Sequence, residues 1–144
     1  MKLCDVNVLI YAHRKDANPE HESYAEFLKN LASGQEAFGL SEAVLCGFVR
    51  IVTNPRAFHD PTPANLALDF CENLRNRAQA CILRPGDRNW TIFNSLCRRI
   101  PAKGKLVADA WHAALAIEYD CEWISTDSDF ARFPGLKWIH PLKS

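Results

Sequence analysis

Short apolar segments alternate with longer amphipathic ones along almost the whole chain, and this alternation constrains the fold more than any other feature. The segments that read as strands are short apolar runs bounded by polar or turn-forming residues, at 1–6, 37–41, 80–85, 123–126 and 136–141. The stretches with apolar residues at helical spacing lie at 7–14, 21–33, 42–54, 60–78, 87–100 and 106–119. Strands that alternate with helices are typical of α/β units, so the sequence predicts an α/β fold around a mostly parallel sheet.

Length and composition narrow this prediction. The 144 residues are 48% hydrophobic and 24% charged, which is ordinary globular usage, and we expect a single domain over residues 1–144. The first apolar run is interrupted by Asp5 and closed by the polar residues 13–15, so it fits neither a signal peptide nor a membrane span. The six cysteines form no CxxC pair and no zinc spacing, and they read as small buried thiols. We therefore expect a reduced, cytoplasmic protein without a membrane partner.

The charges are balanced overall but unevenly distributed. Lysine plus arginine and aspartate plus glutamate each number 17. Between Arg75 and Lys105, however, eight basic residues stand against one acid, a net charge of +7, so the remainder carries −7. Such a stretch forms either a solvated face or a basic surface beside an acidic pocket, and the charge pattern alone leaves both open.

Acidic residues fall where a parallel sheet binds ligands. Asp5 ends the first strand, Glu42 directly follows the second, and Asp127 directly follows the strand 123–126. We expect Asp109 in the first turn of the helix 106–119, at the edge of its apolar stripe. Each acid also has a structural explanation, such as complementing a helix dipole or capping a turn, although Asp5 at the edge of an apolar core is costly to desolvate without a partner. Four acids at one sheet edge favour a functional interpretation.

A cluster of carboxylates needs a counter-charge. Mg²⁺ or Mn²⁺, as one or two ions, is the natural choice, because these ions prefer oxygen ligands and activate water for phosphodiester hydrolysis. Asn7, Ser125 and Thr126 are short polar residues able to orient the carboxylates, or else to cap strand ends. His112 lies one turn beyond Asp109, where packing is favoured over contact with a substrate phosphate. No EF-hand, P-loop, dinucleotide or serine-hydrolase motif is present in the sequence.

The segments LCDVNVLIYA, SEAVLCGFVRIVTNP and LVADAWHAALAIEYDCEWISTDSDFARFPGLKW closely resemble a PIN domain and, more narrowly, the VapC-type toxins of bacterial type II toxin-antitoxin systems. The resemblance covers essentially the whole chain. It implies a three-layer α/β/α fold with a mostly parallel central sheet and an Mg²⁺- or Mn²⁺-dependent endoribonuclease. The positions that match the family's acidic quartet are Asp5, Glu42, Asp109 and Asp127.

The resemblance also implies roles for neighbouring residues. Asp129 matches a frequent additional acid of the metal site, and Thr126 matches the hydroxyl residue that supports the first aspartate. Trp111 and His112 depart from the smaller or apolar residues of many relatives, which would alter the wall of the pocket.

Partners follow from the same resemblance. It implies a VapB-like antitoxin whose tail covers the acidic pocket, and a homodimer. Tyr11, Tyr24 and Phe27 are candidates for such an interface, although core packing is the favoured interpretation of each. Candidate contacts to the RNA substrate, mostly from the basic stretch, are His112, Arg84, Arg88, Lys103 and Lys105.

We therefore expect metal-activated water to hydrolyse an RNA phosphodiester at the four acids, without a covalent enzyme intermediate. One alternative is a catalytically inert PIN-like module that binds RNA or a protein. Another is a metal phosphohydrolase acting on small molecules, which would have little use for the basic stretch. The choice of RNA over DNA rests on the resemblance, since metal-activated water needs no 2′-hydroxyl.

Overall fold

A computed structural model of the protein describes residues 1–143 and contains a parallel sheet flanked by helices. The strands are Lys2–Cys4 (β1), Phe38–Ser41 (β2), Ala80–Leu83 (β3), Glu122–Ile124 (β4) and Lys137–Ile139 (β5). The helices are Val6–His13 (α1), His21–Ser33 (α2), Glu42–Val52 (α3), Ala64–Arg75 (α4), Asn89–Arg99 (α5) and Lys105–Glu118 (α6), with a 3₁₀ turn over Ser128–Arg132. The predicted α/β/α fold with a parallel sheet is confirmed.

The strand order places β1 at the centre of the sheet. The order is β3-β2-β1-β4-β5, and every neighbouring pair is parallel. The chain extends to one side of β1 through β2 and β3 and then returns to the other side with β4. A doubly wound sheet opens its ligand crevice where this direction reverses, beyond the carboxyl ends of the strands. Here the crevice lies between the ends of β1 and β4.

Apolar side chains from both helical layers bury the sheet. Leu3 in β1, Phe48 in α3 and Trp123 in β4 are each 0% exposed, and Phe130 of the 3₁₀ turn is 1% exposed. Each such side chain contributes about 1.5–3 kcal/mol on leaving water, so the ends of β1 and β4 are firmly held. Within residues 1–143, none of the helices combines the length and apolar character that a bilayer crossing requires.

The aromatic residues considered for an interface pack inward. Tyr24 is 3% exposed and meets the ring of Tyr11 edge-on, with centroids 5.2 Å apart. Tyr11 and Phe27 are partly buried against the same core. The favoured core interpretation therefore holds for these side chains.

The cysteines are less uniformly buried than expected. All six are free, and Cys4, Cys71 and Cys121 are buried, but Cys46 is exposed. Cys46 lies on the outward side of α3, whose buried residues include Val44, Leu45 and Phe48. Reading each cysteine as a small buried thiol was wrong for this position.

Two element boundaries bear on the site. Helix α6 begins at Lys105 behind Gly104, so Asp109 lies in the second turn rather than in the predicted first turn. Strand β4 ends at Ile124, so Ser125 and Thr126 separate it from Asp127 instead of belonging to the strand. The helix begins one residue earlier than predicted, and the strand ends two residues earlier. Such differences arise because backbone hydrogen bonds, rather than apolar character, decide where an element begins and ends.

Candidate functional site

Asp5 is a buried carboxylate at the end of β1. It caps α1, with Oδ1 accepting a hydrogen bond from the Val6 amide at 2.7 Å, and it is only 6% exposed. Burial raises the pKa of Asp5, while the hydrogen bonds from Ser125 and Val6 oppose that shift and the nearby Asp109 reinforces it. A buried acid in this position requires compensation by donors or by a cation.

Ser125 supplies the strongest side-chain support for Asp5. Its hydroxyl donates to Asp5 Oδ2 at 2.7 Å and accepts from the Asp127 amide at 3.1 Å. The side chain is fully buried directly after β4, next to the end of β1. Ser125 thus links the first predicted acid to the last.

The resemblance assigned the supporting hydroxyl to Thr126, and that assignment was wrong. Successive side chains leaving a strand point to opposite faces, so Ser125 turns toward Asp5 and the next residue does not. Thr126 uses its amide instead, at 3.5 Å from Asn7 Oδ1. Asn7 Nδ2 is likewise 3.5 Å from Asp5 Oδ2, a long contact that gives less support than Ser125 does.

Asp109 and Asp127 share one cationic group. Lys105 Nζ lies 2.9 Å from Asp109 Oδ2 and 2.8 Å from Asp127 Oδ2. The hydrogen bonds that the Lys105 ammonium donates to these carboxylates raise the pKa of Lys105 above its usual value. Partial burial would raise the pKa of Asp127, but the Lys105 ammonium and the Asp129 amide outweigh it and lower that pKa. Two predicted acids from distant segments therefore converge on a single positive charge.

An open cleft of about 310 Å³ adjoins this pair. Its lining consists of Pro101, Lys103, Lys105, Leu106, Asp109, Asp129 and Arg132. The Asp129 amide donates to Asp127 Oδ1 at 2.9 Å, which starts the 3₁₀ turn and holds the Asp127 carboxylate in place. The cleft is lined by both acidic and basic side chains, as expected of a site that binds both a cation and a polyanion.

The Glu42 carboxylate forms ion pairs with two arginines, whereas Asp109 and Asp127 pair with Lys105. Glu42 is the first residue of α3, which Ser41 caps through the Val44 amide. Its carboxylate accepts from Arg75 Nη1 at 3.0 Å and from Arg84 Nε at 3.1 Å, and its side chain is 47% exposed. The sequence did not identify Arg75 as this partner, because α4 and α3 meet only in the folded chain.

The remaining predicted contacts take different positions. His112 stacks on Trp123 with centroids 5.6 Å apart, and burial lowers its pKa despite the nearby Asp5 and Asp109. Arg88 donates to the Glu118 carbonyl at 2.7 Å, about 13 Å along α6 from Asp109. Lys103 and Lys105 line the cleft, and Arg132 is a lining residue that sequence reasoning missed.

The donor set suits a hard cation. Within the described residues, no three histidine, cysteine or acidic side chains are already arranged to hold one ion together. Asp109 and Asp127 nevertheless each place a carboxylate oxygen within 3 Å of the Lys105 ammonium. Asp109 also lies close enough to Asp5 to raise the pKa of that carboxyl group. Carboxylate oxygens are the ligands that Mg²⁺ and Mn²⁺ prefer, so the residues present fit such an ion.

This fold and acidic edge define a known class of domain. A family model described as "PIN domain" matches residues 2–136, and the chain belongs to that family. It is 46% identical over 141 residues to the VapC ribonuclease Mb2897 of Mycobacterium bovis, covering 97% of this chain and 95% of that one. Ribonuclease VapC25 of Mycobacterium tuberculosis is 36% identical, with 98% and 99% coverage.

Solved structures give the same fold. VapBC2 from Rickettsia felis, bound to a DNA fragment from its promoter, aligns with a TM-score of 0.71 at 17% identity, covering 96% of this chain and 97% of that one. VapBC-1 from nontypeable Haemophilus influenzae aligns with a TM-score of 0.70 at 18% identity, with 99% and 98% coverage. The predicted resemblance to VapC-type PIN domains is therefore confirmed.

Proposed function

We propose that the protein is an Mg²⁺- or Mn²⁺-dependent endoribonuclease of the VapC type that hydrolyses RNA phosphodiester bonds. The convergence of Asp109 and Asp127 on one cationic group, beside the buried Asp5, carries the proposal. Relatives of nearly the same length that are named VapC ribonucleases support it. One or two divalent ions, when bound, supply Lewis-acid stabilisation of the phosphoryl group and a reactive nucleophile at neutral pH.

The protein's own residues would hold and orient the reacting groups. Asp5, Asp109 and Asp127 supply metal ligands, with Asp129 as an additional ligand from the cleft. Ser125 and the Val6 amide fix the Asp5 carboxylate by hydrogen bonds of 2.7 Å each. A carboxylate held in this way loses little freedom when it binds a cation, so the site is partly organised in advance.

Glu42 completes the proposed quartet but must change partners to do so. Its carboxylate is engaged by Arg75 and Arg84. Because that pairing is half-exposed, it costs little to break. Release of Glu42 would also free Arg84 to contact an RNA phosphate, as predicted from the sequence.

Basic residues of the cleft would bind the RNA backbone. Lys103, Lys105 and Arg132 line the same cleft as Asp109 and Asp129. Cationic side chains beside the acids would hold the phosphates on either side of the bond being cut. Binding through phosphates is strongly salt-dependent, so RNA affinity should fall as ionic strength rises.

A VapB-like antitoxin is the proposed protein partner, with a tail that covers the acidic cleft. The structural neighbours are VapBC assemblies, which supports a partner of this type. We also propose that the protein forms a homodimer. We propose a cytoplasmic location, because RNA is present there and the six free thiols would stay reduced.

The direct experiment compares cleavage of a folded RNA with Mg²⁺, with Mn²⁺ and with EDTA, using the wild-type chain and Asp5→Asn. We expect cleavage with either metal, none in EDTA, and a loss of about a hundredfold or more for the variant. Asp69→Asn is the matched control, since Asp69 is exposed on α4. Activity that survives both EDTA and Asp5→Asn would overturn the proposal. RNA binding without cleavage would instead favour an inert PIN-like module, and turnover of simple phosphate monoesters would favour a small-molecule hydrolase.

A further inference from the structure

The outward face of α5 combines one exposed aromatic ring with unpaired positive charge. This face consists of Trp90, Thr91, Asn94, Ser95, Arg98 and Arg99, which line a shallow depression along the helix. Trp90 is 63% exposed, more than any other large hydrophobic side chain within residues 1–143. None of the residues on this face is acidic.

Trp90 packs against a neighbouring ring although it faces solvent. Its ring centroid lies 5.4 Å from that of Phe93, and Phe93 meets Trp111 of α6 edge-on at 5.2 Å. A ring that packs on one side leaves its other side as a flat apolar surface. Such a surface binds a nucleobase by stacking.

The arginines of this face are available to an anion. Arg98 Nε donates to Asn94 Oδ1 at 2.6 Å, which aligns the guanidinium along the helix and leaves its terminal nitrogens free of that contact. Among residues 1–143, neither Arg98 nor Arg99 forms an ion pair with a carboxylate. In contrast, Arg84 and Lys105 are neutralised by acids.

A short loop connects the C-terminal end of this face to the acidic cleft. Helix α5 ends at Arg99, and the loop that follows contributes Pro101 and Lys103 to the cleft lining. Trp90 and Arg98 are about 12 Å apart along the helix axis. The sequence from Arg98 to Lys105, which joins the end of the helix to the cleft, carries four basic residues and no carboxylate.

A single exposed tryptophan is common on protein surfaces and does not by itself indicate a ligand. An aromatic ring in line with unpaired arginines that continue into a nuclease cleft is a more specific arrangement, because it matches the alternation of bases and phosphates in a single strand. Trp and Arg are also enriched at protein–protein interfaces, so these residue types alone do not select the occupant. Two arginines without a carboxylate partner, joined by a short loop to the cleft of the proposed nuclease, favour a nucleic acid.

We propose that the outward face of α5 binds single-stranded RNA, with Trp90 stacking on a base and Arg98, Arg99 and Lys103 contacting phosphates of the strand that enters the cleft. This inference rests on the proposed function, since the bound strand is the substrate. It assigns the face a role in substrate capture, distinct from the chemistry at the acids.

The test measures binding of a labelled single-stranded RNA of about 12 nucleotides by fluorescence anisotropy in EDTA, where no cleavage should occur. We expect Trp90→Ala to weaken binding at least about fivefold and Trp90→Phe to retain most of the affinity. Leu68→Ala is the matched control, because Leu68 is 52% exposed on α4. Arg98→Ala should reduce the slope of log affinity against log salt by about 0.7, the value for one phosphate contact on a single strand.

The outcomes separate this inference from the proposed function. Unchanged RNA affinity in Trp90→Ala, or no RNA binding by the wild-type chain, would overturn the α5 inference even if the enzyme cleaves RNA. Loss of self-association in Trp90→Ala, measured by light scattering with RNA affinity unchanged, would overturn it in favour of an interface between copies. Trp90-dependent RNA binding by a chain that never cleaves RNA would support RNA binding at the α5 face but would reject the nuclease and, with it, the role of this face in substrate capture.

Discussion

The Ser125 hydroxyl lies 2.7 Å from Asp5 Oδ2, although 120 positions separate the two residues in the chain. The contact joins the ends of β1 and β4, and through the Asp127 amide it reaches the last acid of the predicted quartet. The geometry of the acidic edge therefore depends on a neutral residue outside the predicted acidic quartet.

Ser125→Ala should destabilise the fold and disturb the site. It removes a hydrogen bond from a buried carboxylate, so we expect the free energy of unfolding to fall by about 1–3 kcal/mol in urea denaturation. Ser23→Ala, an exposed serine of α2, controls for the substitution itself. If the variant has the same urea midpoint of unfolding as the wild type, the Ser125 hydroxyl does not stabilise the buried Asp5 carboxylate.

Asp5→Asn should stabilise the metal-free protein at neutral pH. Burial raises the folded-state pKa of Asp5, so the folded chain holds a proton in a pH range where the unfolded chain has released it. The stability of the wild type therefore falls as pH rises through that range. Asparagine keeps an acceptor for the Val6 amide and has no proton to lose.

Thermal unfolding in EDTA measures this effect. The variant should melt above the wild type at pH 7, by about 2–4 °C for each kcal/mol gained, and the difference should shrink as pH is lowered toward 4. Asp69→Asn should show no such trend. A variant less stable than the wild type across this range would mean that hydrogen bonding to the carboxylate outweighs its burial.

Lys105→Met should tighten Mn²⁺ binding. The ammonium bridges Asp109 and Asp127, so it competes with a metal ion for the same oxygens. We expect the dissociation constant for Mn²⁺ to fall about two- to fivefold by calorimetry, the range given by partly exposed ion pairs. Lys103→Met removes an equal charge from the same cleft without breaking the bridge, and should have a smaller effect. Equal effects of the two substitutions would attribute the change to general electrostatics.

Glu42→Gln should reduce cleavage with little effect on folding. The Glu42 carboxylate is half-exposed, so losing its pairs with Arg75 and Arg84 should change the free energy of unfolding by less than about 1 kcal/mol. Cleavage should nevertheless fall at least about tenfold if Glu42 is a metal ligand. Glu72→Gln is the control, because Glu72 also pairs with Arg75 but lies outside the proposed site. Wild-type cleavage by Glu42→Gln would remove Glu42 from the ligand set.

The sequence predicted the features that follow from local periodicity. Apolar runs and helical spacing identified the strands and helices, and parallel topology then placed Asp5 and Asp127 at one edge of the sheet. Element ends were less well predicted: Asp109 lies one residue deeper in its helix than expected, which places it in the second turn. The hydrogen bonds that end an element depend on neighbours brought close only by folding.

The pairings within the site were beyond sequence reasoning for the same reason. Neither periodicity nor charge could show that Arg75 and Arg84 would meet Glu42, or that Lys105 would bridge two aspartates. The supporting hydroxyl was assigned to Thr126 rather than Ser125 because a shift of one residue in a strand reverses the direction of its side chain. The basic stretch was recognised as a whole, but only the fold separates its neutralised residues from the free ones on α5.

Calorimetric titration of Mn²⁺ tests the central claim most directly, because it asks whether acids from distant segments share a cation. We predict saturable binding of one or two ions to the wild-type chain, abolished when Asp109 and Asp127 are both replaced by Asn and preserved in Asp69→Asn. Absence of binding to the wild type, or unchanged binding by the double variant, would contradict the account.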